Sequence, residues 1–99
     1  MIFMKITSNN ILCHELIGLE VRLLQYTDPV LIGLSGTIID ETLKTLVIER
    51  SDGRRLRVFK ANGVFELKIP GDQRVTIIGE DIMGRPWDRL KKYIRKCRE

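Results

Sequence analysis

Leu46-Val47-Ile48-Glu49-Arg50-Ser51-Asp52-Gly53-Arg54-Arg55-Leu56-Arg57-Val58-Phe59 decides the fold class. Leu46 and Ile48 alternate with Val47 and Glu49 before the Ser51-Asp52-Gly53 turn. After it, Leu56 and Val58 alternate with Arg55 and Arg57. Period-two spacing puts the bulky residues on one face of a strand and the polar ones on the other, and Asp-Gly between two such runs signals a tight hairpin. The same pattern extends outward in both directions. Val21 and Leu23 alternate with Glu20 and Arg22, Phe65, Leu67 and Ile69 with Glu66 and Lys68, and Val75 and Ile77 with Arg74 and Thr76. Asp28-Pro29 and Pro70-Gly71-Asp72 supply further turns. With another strand at about Leu34 to Glu41, the reading gives six short strands in about sixty residues. A sheet of that size with one apolar face is expected to curl into a small closed or half-closed antiparallel barrel, which removes exposed edges. Gly33, Gly36 and Gly79 are candidates for its bends and bulges.

Both ends return to helical spacing. Ser8-Asn9-Asn10 offers capping side chains, Ile11, Leu12 and Leu16 form one stripe, and Gly18 closes a helix of about two turns. Near the other end, Pro86 suits a first helical position and Asp88 suits the first turn, where the helix dipole favours negative charge. Trp87, Leu90, Ile94 and Cys97 step by 3, 4 and 3 residues along one apolar stripe, expected to dock on the barrel or on a partner, with Trp87 as a docking anchor in preference to the alternative of a base-stacking platform. The expected organisation is a single domain over 1–99: an N-terminal segment and helix (1–18), a β-barrel core (19–79) and a basic C-terminal helix (80–99).

Charge is concentrated in that last helix. From Arg85 to Glu99 seven basic residues stand against two acidic ones, giving +5 in a chain whose total is +4, so residues 1–84 are close to neutral. A neutral body with a cationic terminus suits a scaffold presenting a contact element to a polyanion, nucleic acid first. A solvated helix that only maintains solubility has the same composition.

The 99 residues, 43% apolar and 30% charged, suit one small soluble domain rather than a disordered chain. No apolar run reaches the ~18 residues of a membrane-spanning helix. The opening Met1-Ile2-Phe3-Met4 meets Lys5 before it can form the apolar core of an export signal, so a cytoplasmic location is the expectation. Cys13 and Cys97 are isolated and are expected to be spare thiols.

Catalytic chemistry is not signalled. His14 is the only histidine and lies far from a nucleophile, so packing, capping or an interface is its expected role. Asp40 and Glu41 are neighbours on a strand and face opposite ways, which suits turn hydrogen bonds or a salt bridge rather than an acid/base pair. Cys13, His14 and Cys97 are too sparse for a zinc site. Gly33-Leu34-Ser35-Gly36 lacks the lysine of a phosphate-cradling loop. No catalytic residue and no metal ligand is expected. Binding features are better developed: Arg54, Arg55, Arg57 and Lys60 cluster after the hairpin, and Arg55, Arg57 and Phe59 share a face that could meet phosphates and stack on an unpaired base. Alternating arginines also simply keep an outer sheet face wet.

Several stretches resemble the archaeal ribonuclease P protein component 1 family, a relative of a eukaryotic ribonuclease P/MRP subunit. They are His14-Glu15-Leu16-Ile17-Gly18-Leu19, Gly33-Leu34-Ser35-Gly36, Asp40-Glu41-Thr42, Leu46-Val47-Ile48-Glu49, Asp52-Gly53, Val64-Phe65, Gly79 and Arg85-Pro86-Trp87-Asp88-Arg89-Leu90-Lys91, in the family's order from His14 to Lys92. Trp87 stands where the family commonly has glutamate, and Phe59 where it commonly has proline. The resemblance implies an Sm-like six-stranded barrel with helical or flexible termini. It implies an RNA-binding, noncatalytic subunit of the ribonucleoprotein that removes the 5′ leader from precursor tRNA, in which the RNA cleaves with metal ions, magnesium being expected. Implied partners are ribonuclease P RNA, a zinc-ribbon protein subunit, other ribonuclease P proteins and precursor tRNA. On this reading Arg54, Arg55, Arg57, Lys60, Arg85, Arg89, Lys91, Lys92, Arg95 and Lys96 face RNA, and Ile11, Leu12 and Leu16 form a protein-partner surface. The alternative is a small-barrel protein-interaction module of another ribonucleoprotein.

Overall fold

The computed structural model describes residues 5–98; Met1–Met4, read above for an export signal, and Glu99 lie outside the described residues. Six strands form one antiparallel sheet: β1 (Glu20–Tyr26), β2 (Ser35–Glu41), β3 (Thr45–Glu49), β4 (Arg55–Phe59), β5 (Gly63–Ile69) and β6 (Gln73–Ile78), in the order β4-β3-β2-β1-β5-β6. One α-helix follows, α1 (Pro86–Cys97). The hairpin forms as its spacing predicts. Glu49 pairs with Arg55, the Gly53 N–H donates to the Arg50 carbonyl at 2.9 Å, and the Asp52 carboxylate accepts from the Arg54 N–H at 3.0 Å.

Alternation fixes which face is apolar. Val21, Leu23, Ile38, Leu46, Ile48, Val58, Phe65, Leu67, Ile69 and Ile77 all turn inward and join Ile11, Leu16 and Ile82 in one core. Each fully buried aliphatic or aromatic side chain contributes about 1.5–3 kcal/mol relative to an exposed one. The opposite face is held wet by cross-strand ion pairs: Arg55–Glu49 at 3.0 Å, Arg74–Glu66 at 3.2 Å and Lys68–Glu20 at 3.5 Å.

Of the closed or half-closed barrel expected, the closed form is not what the sheet adopts. β4 and β6 are the two edges of an open sheet and share no ladder. Main-chain turns cover the gap instead. The 3-10 turn Lys60–Asn62 leaves β4, the 3-10 turn Gly79–Ile82 leaves β6, and the two pack together. A Cβ at Gly79 would overlap the Lys60 carbonyl oxygen and lie 2.7 Å from that of Gly63, so only glycine permits this approach. Gly36 likewise lies against the Glu49 carbonyl, while Gly33 supplies a turn at φ 89°. Tyr26, on β1, reaches the β4 edge, its hydroxyl accepting from the Phe59 N–H at 3.0 Å.

The expected two-turn N-terminal helix is also absent. Only Ile11–Cys13 forms, as a single 3-10 turn. Continuing it would need the Leu12 carbonyl to accept from the Leu16 N–H, and both groups are taken by distant side chains. The Leu12 carbonyl accepts from Arg89 at 3.0 Å, and the Leu16 N–H donates to Glu41 at 3.3 Å. Asn10 turns back rather than forward, accepting from the Thr7 N–H at 2.7 Å and donating to the Lys5 carbonyl at 2.9 Å. Ile11 and Leu16 are consequently core residues, which corrects their assignment to a protein-partner surface; Leu12 packs against the core and stays half-buried.

Candidate nucleic-acid interface

Helix α1 starts where its sequence allows. Gly84 turns the chain at φ 96°, Pro86 occupies the first turn, and the Asp88 carboxylate accepts from the Arg85 N–H at 3.3 Å. Its buried face differs from the expected stripe. Arg89 and Cys97 are buried and Tyr93 and Ile94 are half-buried, whereas Trp87 is 59% and Leu90 37% exposed. The helix is rotated so that an arginine, not an indole, faces inward.

A carboxylate causes that rotation. Glu41, at the end of β2, sits at the centre of a buried polar cluster between Lys60 and Arg89, both with no exposed side-chain surface. The Lys60 ammonium uses all three protons, to Glu41 at 2.8 Å, the Thr42 carbonyl at 2.7 Å and the Gly84 carbonyl at 2.9 Å. The Arg89 guanidinium bonds both Glu41 oxygens and donates to the carbonyls of Leu12 (3.0 Å), Gly84 (3.0 Å) and His14 (2.7 Å). One acid and two bases are buried together, and carbonyl dipoles complete the solvation that water would otherwise supply. Burial pushes the Lys60 ammonium below its ordinary range, against the pull of Glu41. Lys60 and Arg89 therefore have no surface to offer a phosphate, which corrects both assignments. Glu41 makes the salt bridge expected of it.

Cys13 and Cys97 are not spare thiols. They form a disulfide across 84 residues of sequence, with Cα atoms 6.5 Å apart. The bond joins the segment before β1 to the last turn of α1, so Arg89 fixes the start of the helix and Cys97 its end. Among the described residues, no three His, Cys, Asp or Glu side chains are grouped to hold a metal ion. His14 keeps its imidazole half-buried, with Nε2 unpartnered among the described residues, and desolvation lowers its pKa.

The other eight expected RNA-facing residues are exposed and fall into two groups. On β4, Arg55 pairs with Glu49 at 3.0 Å and Arg57 donates to the Thr45 hydroxyl at 3.0 Å; Arg54, just before the strand, lies 3.9 Å from Asp52. Phe59 shares that outer face, as the alternation predicts, and is 51% exposed. On α1 and its cap, Arg85, Lys91, Lys92, Arg95 and Lys96, joined by Arg98, make no ion pair among the described residues. Two of these cations rest against aromatic rings instead: Arg85 lies 5.8 Å from the Trp87 centroid and Lys92 5.2 Å from that of Tyr93. A phosphate approaching β4 meets the Glu49 carboxylate on Arg55 and an Arg57 already bonded to Thr45; one approaching α1 meets cations with no ion pair among the described residues. The geometry is that of a helix with an exposed row of cations, locked onto a small β scaffold by Arg89 and the disulfide.

Comparison with known proteins agrees with this architecture. The family model described as ribonuclease P/MRP, subunit p29, matches residues 9–92. The ribonuclease P protein component 1 of Desulfurococcus amylolyticus is 59% identical over 92 residues, covering 93% of this chain and 100% of the relative. That of Staphylothermus marinus is 53% identical over 92 residues, with the same two coverages. Among solved structures, Mth11, a homologue of the human RNase P protein Rpp29, superposes with a TM-score of 0.57 at 42% identity, covering 77% of this chain and 97% of the other. A match from Asn9 in the N-terminal segment to Lys92 in the basic helix takes in the whole sheet, Glu41 and both buried cations, and this chain therefore belongs to the ribonuclease P/MRP p29 subunit family.

Proposed function

We propose that this chain is a noncatalytic, RNA-binding protein subunit of ribonuclease P, the ribonucleoprotein that removes the 5′ leader from precursor tRNA. The observation that carries this reading is the set of six cations on α1 and its cap that make no ion pair among the described residues, in a chain whose family match spans residues 9–92. The fold supports an Sm-like description in which turns, rather than a strand ladder, complete the wall. The helix neutralises phosphates of the catalytic RNA and releases counterions as it does so. Phosphodiester cleavage belongs to the RNA and its magnesium ions, and this protein lowers the electrostatic cost of bringing the polyanions together. A zinc-ribbon subunit and other ribonuclease P proteins are its protein partners, in the cytoplasm.

Reconstituting leader removal with and without this chain tests the reading. At low magnesium, omission should abolish or strongly slow cleavage, and high magnesium should restore part of it. A complete assembly whose activity and magnesium requirement were both indifferent to the chain would refute the proposal. Cleavage of precursor tRNA by the purified chain alone would refute its noncatalytic half.

A further inference from the structure

Trp87 is the chain's single tryptophan, and the capture of Arg89 by Glu41 turns it outward. It packs into no core, and 59% of its surface faces solvent. Exposed indole is uncommon without a partner, because Trp carries a large apolar area whose hydration is unfavourable. Its surroundings say which partner. Lys91, Arg95 and Arg98 follow Trp87 at steps of 4, 4 and 3 along one exposed side of the helix, about 16 Å long by the helical rise. None of these cations is ion-paired among the described residues. The Arg85 guanidinium lies 5.8 Å from the ring centroid, within cation–π range, and the nearby Asp88 carboxylate is engaged with the Arg85 N–H. One π-face followed by a row of cations is the pairing that single-stranded nucleic acid requires: a flat ring for a base, then charge for the backbone that leads away from it. A protein occupant would have to cover the indole and also desolvate or neutralise the neighbouring cations, whereas RNA brings its own phosphates.

We propose that Trp87 is a stacking platform for one unpaired nucleobase of RNA, with the adjoining phosphates lying along Lys91, Arg95 and Arg98. This rests on the RNA-binding reading of α1 and adds a point at which a base, not only a phosphate, is met. The site discriminates single strands from duplexes, because a base buried in a stack cannot reach the indole.

Because the chain has one tryptophan, its fluorescence reports this site directly. The full chain is titrated with a single-stranded oligoribonucleotide and, separately, with a blunt-ended RNA duplex. The single strand should quench the emission and protect the indole from acrylamide, and the duplex should do neither. Trp87→Ala should weaken single-strand binding about 5- to 100-fold, leave duplex binding and the salt dependence unchanged, and be rescued largely by Trp87→Phe. Single-strand binding with an acrylamide-accessible indole and an unaffected Trp87→Ala variant would overturn the platform while leaving the RNA reading intact. Failure of both RNAs to bind would remove that reading and the platform with it. Protection of Trp87 by a protein subunit but not by RNA would also overturn the proposal and assign this face to a protein.

Discussion

Arg89 and Arg95 lie six residues apart on one helix, and Lys60 and Arg57 three residues apart around the end of one strand, yet their fates are opposite. Arg89 and Lys60 are buried against Glu41; Arg95 and Arg57 are in water. The difference teaches that in a chain this rich in cations, the position of a buried carboxylate decides which bases build the protein and which remain for a ligand. Glu41 takes two of them inward, and α1 is thereby rotated so that its remaining cations and its indole point outward.

The sharpest way to break the contrast is to remove the carboxylate. Glu41→Ala leaves Lys60 and Arg89 buried with only carbonyls for partners and should cost about 3–5 kcal/mol. That corresponds to a Tm lowered by about 15 °C or more, read by calorimetry. Glu41→Gln keeps an acceptor and the shape, so its loss should be smaller. An Arg95→Ala or Lys96→Ala change, made on the exposed side of the same helix, should stay within about 0.5 kcal/mol of the parent. Equal losses from the buried and exposed changes would erase the distinction.

Next in size is the disulfide. Closing a loop across 84 residues restricts the unfolded chain, and in the chain-entropy picture a bond of this span stabilises by about 4–5 kcal/mol, less any native-state cost. Reduction, or a Cys13→Ser/Cys97→Ser double change, should lower Tm by more than about 10 °C and make the last turns of α1 the first protease-sensitive site. A reductant should then have no further effect on the double variant. Since Arg89 holds the other end of the helix, the sheet core should retain its protection from hydrogen exchange. A Tm indifferent to reductant would show that the cysteines do not staple the helix.

How much of this was legible in the sequence follows from the range of the forces involved. The strands were readable because alternation is local: each of Val21/Leu23, Leu46/Ile48, Phe65/Leu67/Ile69 and Ile77 declares its inner face within a few residues. The terminal helix was readable from Pro86, Asp88 and its 3.6-residue period. Its orientation was not, because Arg89 belongs inside only once Glu41, 48 residues away, is placed beside it. The disulfide escaped for the same reason, since Cys13 and Cys97 carry no spacing signal and meet only when the N-terminal segment crosses α1. The two-turn helix read around Ile11, Leu12 and Leu16 was locally sound and was undone by long-range hydrogen bonds to the Leu12 carbonyl and the Leu16 N–H. Of the ten RNA-facing residues expected, the eight that remained exposed are those with no buried carboxylate within reach. Alternation from Ile38 would have put Asp40 inside; the bulge between Ile38 and Asp40 shifts the register and turns Glu41 inward opposite Leu46, which no local pattern declares.

The smallest effects concern the strand arginines. Exposed pairs such as Arg55–Glu49 contribute only about 0–1 kcal/mol, so Arg55→Ala/Arg57→Ala should leave stability nearly unchanged. It should also affect RNA affinity less than changes on α1, because freeing Arg55 for a phosphate leaves the Glu49 carboxylate facing the RNA and freeing Arg57 breaks its bond to the buried Thr45 hydroxyl.

The salt dependence of RNA binding tests the central claim most directly. The slope of log K against log salt concentration is measured for the parent, for Lys91→Ala/Lys92→Ala/Arg95→Ala/Lys96→Ala on the helix, and for Arg55→Ala/Arg57→Ala on the strand. The account predicts that the helix variant loses about two or more units of slope, close to 0.7–0.9 per phosphate contact removed, while the strand variant keeps nearly the parent slope. A parent-like slope in the helix variant, with the loss appearing in the strand variant, would contradict it.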